Sequence, residues 1–161
     1  MRNHNFIFLS LENLTTKTTA KLIAENLQMI FVDLKNEISK NLIAENLIHN
    51  FDKMIADKIE NETITKLLGL KNQIIFCTID LLNKTKLLKK IKENSKIIYI
   101  KYKKQDISTD NFSFNMGYAF DTEDKFCQNI SDLIIEYKKN MQIEKIIKKM
   151  RQICDKESKW Q

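Results

Sequence analysis

The sequence predicts an α/β protein: a doubly wound, three-layer fold built on a five-stranded parallel sheet. Short apolar runs of strand length alternate with longer segments in which apolar residues recur every three or four positions. The first 33 residues run strand, helix, strand, the pattern of a parallel crossover unit. No internal repeat and no Pro-, Gly- or Ser-rich linker divides the chain, so residues 1–161 are expected to form one domain.

Phe6 to Leu9 reads as a buried strand that ends in polar residues. From Thr16 onward, Ala20, Ile23, Ala24 and Leu27 mark the inner face of a helix, with Lys17, Lys21 and Glu25 on another face. Met29 to Val32 is the second strand, ending at Asp33. Residues 36–68 are helical in period, through Ile38, Leu42, Leu47, Phe51, Ile55, Ile59, Ile64 and Leu68, and Gly69 is the expected C-cap. Gln73 to Ile79 is the third strand, Lys84 to Glu93 a short helix, and Lys96 to Tyr102 the fourth strand. Residues 103–123 are polar and lack a sustained period, so they read as a lid-like loop with room for some helix. Ser131 to Tyr137 is the fifth strand, and Ile143 to Ile153 the closing helix.

Composition narrows the function classes. No apolar run approaches the roughly 20 residues of a membrane-spanning helix, and Phe6 to Leu11 is too short for a secretory signal; a cytoplasmic protein without a membrane partner is expected. Cys77, Cys127 and Cys154 are odd in number and widely spaced, which argues against a disulfide framework, and with only His4 and His49 there is no zinc-ligand pattern. Basic residues outnumber acidic ones, 27 to 21, but the excess is almost all lysine spread over amphipathic segments, so solvated helix exteriors are expected rather than a nucleic-acid surface. The only arginines, Arg2 and Arg151, lie near the ends of the chain and cannot offer two-pronged anion recognition from its middle. Two glycines and no proline point to a biased genome and weaken composition as a guide to function.

The stretch Asn5-Phe6-Ile7-Phe8-Leu9-Ser10-Leu11-Glu12-Asn13-Leu14-Thr15-Thr16-Lys17-Thr18-Thr19, followed by Phe31-Val32-Asp33, resembles the opening of shikimate kinases, a family of phosphate-loop (P-loop) kinases. Asn50-Phe51, the Ile-Ile-Tyr-Ile strand and Ser131-Asp132-Leu133-Ile134-Ile135-Glu136 extend the resemblance along nearly the whole chain. It implies a monomer that takes ATP with Mg2+ and phosphorylates shikimate to shikimate 3-phosphate in aromatic amino-acid biosynthesis. By this resemblance Thr15, Thr16, Lys17 and Thr18 are the candidates for nucleotide phosphate, and Asp33, with Thr18, for magnesium.

The departures fall on the groups that do the chemistry. A phosphate loop needs glycines that let several backbone N-H groups converge on one anion, a Lys on the terminal phosphates and a hydroxyl on magnesium. Ser10, Asn13 and Thr15 stand where the family has glycine, and Thr16 stands where it has its lysine, with Lys17 one position later. Lys35 replaces an aspartate, Asp52 replaces an arginine, and Thr78-Ile79-Asp80 replaces a triple-glycine turn; Lys125 is the nearest cation to the lost arginines. Loss of one preorganised donor costs on the order of 10²–10³ in rate, so weakened or lost activity is expected. Lys17 and Thr18 either still engage a nucleotide or form a capped, solvated first turn of a helix. A noncatalytic interaction protein on the same fold and another small-molecule P-loop kinase are the alternatives.

Overall fold

The computed structural model describes residues 3–44, 53–83, 85–107 and 116–158. Leu47, Asn50, Phe51, Asp52 and Lys84, and residues 108–115 of the expected lid, lie outside the described residues. The strands are β1 (Asn5–Leu9), β2 (Ile30–Asp33), β3 (Gln73–Phe76), β4 (Lys96–Lys101) and β5 (Leu133–Glu136). They form one parallel sheet in the order β2-β3-β1-β4-β5. The helices are α1 (Asn13–Leu27), α2 (Leu34–Ala44), α3 (Lys53–Gly69), α4 (Ile79–Leu82), α5 (Thr85–Asn94), α6 (Met116–Ile130) and α7 (Ile143–Ser158), with a 3-10 turn at Lys104–Asp106.

Strand β1 lies at the centre, and all five of its residues are buried because helices cover both sheet faces. Successive side chains point to opposite faces. Ile7 and Leu9 therefore join Ile64, Leu68, Leu87, Ile91 and Cys127, from α3, α5 and α6, in one core. Phe6 and Phe8 join Ala20, Ile23, Ile146 and Met150, from α1 and α7, in the other. These two cores and the sheet between them are the three layers expected from the alternation of strands and helices.

Several boundaries differ from the sequence reading. Helix α1 begins at Asn13, three residues before the Thr16 start expected from its apolar face. Strand β3 stops at Phe76, and Ile79 opens the short helix α4. Gly69 is the last helical residue of α3 rather than a left-handed cap; the positive φ values fall on Gln28 (54°) and Asn72 (67°). Gln28 nonetheless ends α1 in the usual way, its N-H donating to the carbonyls of Ala24 and Glu25. Within 103–123, residues 116–123 belong to α6, so this part of the expected loop is helical.

Asn5 ties the start of β1 to the α3-β3 connection. Its fully buried amide donates to the Leu70 and Leu68 carbonyls at 2.7 and 3.3 Å and accepts from Gln73 Nε2 at 3.4 Å. Asn5→Leu keeps the volume but strands those groups in the core, so urea unfolding should show a loss of about 2 kcal/mol.

Candidate phosphate site

The first four N-H groups of a helix have no partner within it, and its aligned peptide dipoles favour an anion at that end. At α1 the chain supplies the anion itself. Glu12 takes the N-cap position with extended backbone angles, and its carboxylate accepts from Leu14 N at 3.2 Å and from Thr15 N at 2.8 Å. Ser10 Oγ accepts from Glu12 N at 2.9 Å, which holds the turn between β1 and α1 closed on itself. A carboxylate thus sits where a phosphate loop would present its amides to a nucleotide.

The candidate residues are close in space but engaged with one another. Lys17 Nζ pairs with Asp33 Oδ2 at 2.5 Å, while Asp33 Oδ1 accepts from Asn36 N at 3.3 Å and caps α2. Thr18 Oγ1 donates to the Leu14 carbonyl at 3.0 Å, turning back along its own helix. Thr15 contributes its N-H to Glu12. Thr16 is fully buried, with its hydroxyl close to that of the buried Tyr102; burial pushes that phenol up to about 12, against a smaller lowering by the Thr16 and Thr15 hydroxyls. Magnesium does not fit this arrangement: one Asp33 oxygen is held by an ammonium and the other by a backbone amide, and Thr18 is occupied elsewhere. Among the described residues no group of three or more His, Cys, Asp or Glu side chains is arranged to hold a metal.

A cavity of about 690 Å³ opens beside this cap, beyond the carboxyl ends of β1 and β3. That is where an open parallel sheet reverses its winding and places its ligand crevice. Ser10, Glu12, Asn13 and Lys17 line it from the α1 side, Thr78, Ile79 and Asp80 from α4, and Ile107 and Glu123 from the far side. Lys35 and Lys125 are exposed on α2 and α6 and do not line it. The Cys77 thiol at the end of β3 is raised far above its usual range, first by burial and then by the charges of Asp80, Asp33 and Glu60. It is a core atom and not a nucleophile at neutral pH.

Sequence reasoning missed Glu12 and Glu123 as site residues. The signal for Glu12 was present: a carboxylate two and three positions before the free amides of a helix start. It was hidden because the apolar face of α1 begins later. Tyr99 is fully buried in β4, an inner strand, and its hydroxyl donates to Asp124 Oδ1 at 2.6 Å. Tyr102 is buried against Tyr137, ring centroids 4.2 Å apart.

No protein-family model matches the chain, and no curated protein matches it in sequence. Solved structures do match in fold. The shikimate kinase of Bacteroides thetaiotaomicron is 11% identical with a TM-score of 0.67, over 94% of this chain and 98% of that one. The shikimate kinase of Aquifex aeolicus is 15% identical with a TM-score of 0.62, over 96% and 98%. The shikimate kinase of Acinetobacter baumannii, solved in complex with shikimate, is 14% identical with a TM-score of 0.63, over 97% and 96%. The chain has the α/β fold of the shikimate kinases and their P-loop kinase relatives.

The acidic cap carries a stability consequence. Glu12→Ala should lower the unfolding free energy by about 1 kcal/mol, measured by urea denaturation, since it leaves two amides without their acceptor. The buried Cys77 and Cys127 thiols should resist iodoacetamide at pH 8 in the native protein and react once it is unfolded.

Proposed function

We infer that this chain is a shikimate-kinase-like protein in which phosphoryl transfer from ATP to the 3-hydroxyl of shikimate has been weakened or lost. The observation that carries this reading is the Glu12 carboxylate on the amides of Leu14 and Thr15. A nucleotide phosphate would have to displace it and would meet its charge. Two unit charges 4 Å apart interact with about 4 kcal/mol at the effective dielectric near a protein surface, so a carboxylate and a phosphate do not share this end of the helix.

The other parts of the machinery support the same reading. Phosphoryl transfer rests on positioning and on cations placed at the transferring group. Lys17 is neutralised by Asp33, and the carboxylate that the family resemblance assigns to magnesium is the one that neutralises it. Shikimate is itself a carboxylate, and the cavity that would receive it is lined by Glu12, Asp80 and Glu123. A noncatalytic role on a kinase fold draws on the same features and differs only in whether residual turnover survives.

A coupled assay with ATP, Mg2+ and shikimate decides the reading. Wild type should show no turnover above background and no thermal shift with Mg2+ and ATP. Glu12→Gly should gain a measurable ATP-induced shift by vacating the helix end. Wild-type turnover in the range of about 1–100 s⁻¹ typical of kinases, lost in Lys17→Ala, would overturn it.

A further inference from the structure

We propose that a second cleft, outside the carboxyl ends of β4 and β5, is a docking surface for single-stranded nucleic acid. It is separate from the cavity beside the α1 cap, and none of the candidate phosphate or magnesium residues lines it. The inference therefore goes beyond the kinase reading and does not rest on it.

The cleft has a volume of about 790 Å³ and is walled by residues 101–106 at the end of β4, by residues 136–139 at the end of β5, and by Phe120 of α6. The Tyr137 N-H donates to the Lys101 carbonyl at 2.8 Å, which ties the two segments together, and the Met141 N-H closes a turn onto the Lys138 carbonyl at 2.8 Å. The sequence spreads its lysines along the chain, but the fold gathers Lys101, Lys103, Lys104, Lys138 and Lys139 here, against Asp106 and Glu136 alone. Lys101 Nζ lies 3.6 Å from Asp124 Oδ2; the other four are exposed and make no ion pair among the described residues. Exposed lysines elsewhere pair along their own helices, Lys40 with Glu37, Lys58 with Glu62 and Lys89 with Glu93. One sign of charge focused in a cleft attracts the opposite sign, and a polyanion that lies along such lysines gains further by releasing its counterions.

A second, independent feature of the same cleft selects the polyanion. Tyr102 and Tyr137 both line it and stack on each other, ring centroids 4.2 Å apart and planes 22° from parallel. Tyr102 is buried and Tyr137 half-buried, so the inner ring fixes the outer one at the wall of the cleft. A row of cations beside a fixed aromatic ring is the arrangement that holds a single strand, phosphates on the lysines and a base on the ring. A duplex keeps its base faces inside its own stack, and an acidic peptide leaves the ring unused. Helix α7 favours a polymer over one nucleotide: it begins at Ile143, just beyond Lys139, and carries Lys145, Lys148 and Lys149 exposed. Lysine acts on phosphate as a point charge and reads no base edge, so binding is expected to be independent of sequence.

Fluorescence anisotropy of labelled oligo(dT) and oligo(rU), each of about 12 nucleotides, titrated with the full chain in about 50 mM NaCl, tests the proposal. Both strands should bind saturably, with a dissociation constant of about 1–100 µM, and log K should fall against log salt with a slope of about −2 to −3, as about four phosphate contacts require. The quadruple variant Lys103→Gln, Lys104→Gln, Lys138→Gln, Lys139→Gln should bind at least about tenfold more weakly while keeping its thermal midpoint, since it breaks no ion pair. The triple variant Lys86→Gln, Lys89→Gln, Lys92→Gln, which strips exposed lysines from α5, should stay within about twofold of wild type. Tyr137→Leu should weaken single strands at least about fivefold and leave a duplex of the same length, the weaker ligand of wild type, unchanged. No saturable binding by wild type, undiminished binding by the quadruple variant, preference for the duplex, or displacement of the strand by polyglutamate as readily as by unlabelled oligo(dT) would each overturn the proposal. The titration uses neither ATP nor shikimate, so its outcome and that of the kinase assay are independent.

Discussion

A helix that begins inside a protein must find acceptors for its first amides, and the whole candidate site follows from how α1 meets that demand. In a phosphate-loop protein the ligand completes the helix. Here Glu12 completes it, from one residue outside the first turn. Lys17 pairs with Asp33, and Asp33 serves both as a cap for α2 and as the counterion of Lys17. Lys17 and Asp33, which the family resemblance assigns to nucleotide and metal, are thus engaged with each other, and Asp33 also with the start of α2.

That substitution leaves the architecture untouched because the sheet does not depend on the site. Strand β1 is held by its neighbours β3 and β4 and by helices on both faces, and its buried Asn5 anchors it at the end opposite the cavity. Helix α6 is fastened to β4 through Asp124, which accepts from Tyr99 and from Gln128 Nε2 at 2.6 Å each and lies 3.6 Å from Lys101 Nζ. The scaffold can therefore keep the crevice at the carboxyl ends of its strands while the chemistry lining that crevice changes, which is why fold alone does not fix function.

The sheet was legible in the sequence because its strands are nearly continuous apolar runs bounded by polar residues, as buried parallel strands must be. Helix α6 was not. Its inward positions Phe120, Cys127 and Ile130 are interrupted by Asp124, a carboxylate that reaches inward to Tyr99 and breaks the apolar period. The start of α1 was misplaced for a related reason: Asn13 and Leu14 are exposed, so its apolar face gives no sign of the first turn. Glu12 therefore passed as a loop residue, although the missing glycines at 10, 13 and 15 had already marked the turn as one that a phosphate could not easily enter. The cavity's acidity was illegible for a different reason, since Glu12, Asp80 and Glu123 come from three distant segments that only the fold brings together.

The most direct measurement follows the Leu14 and Thr15 amide resonances by heteronuclear NMR as ATP and Mg2+ are added to the wild-type protein. If Glu12 occupies the end of α1, both resonances should stay in place at millimolar nucleotide. A saturable shift of these two amides in wild type would contradict the account, since it would show the helix end open to phosphate.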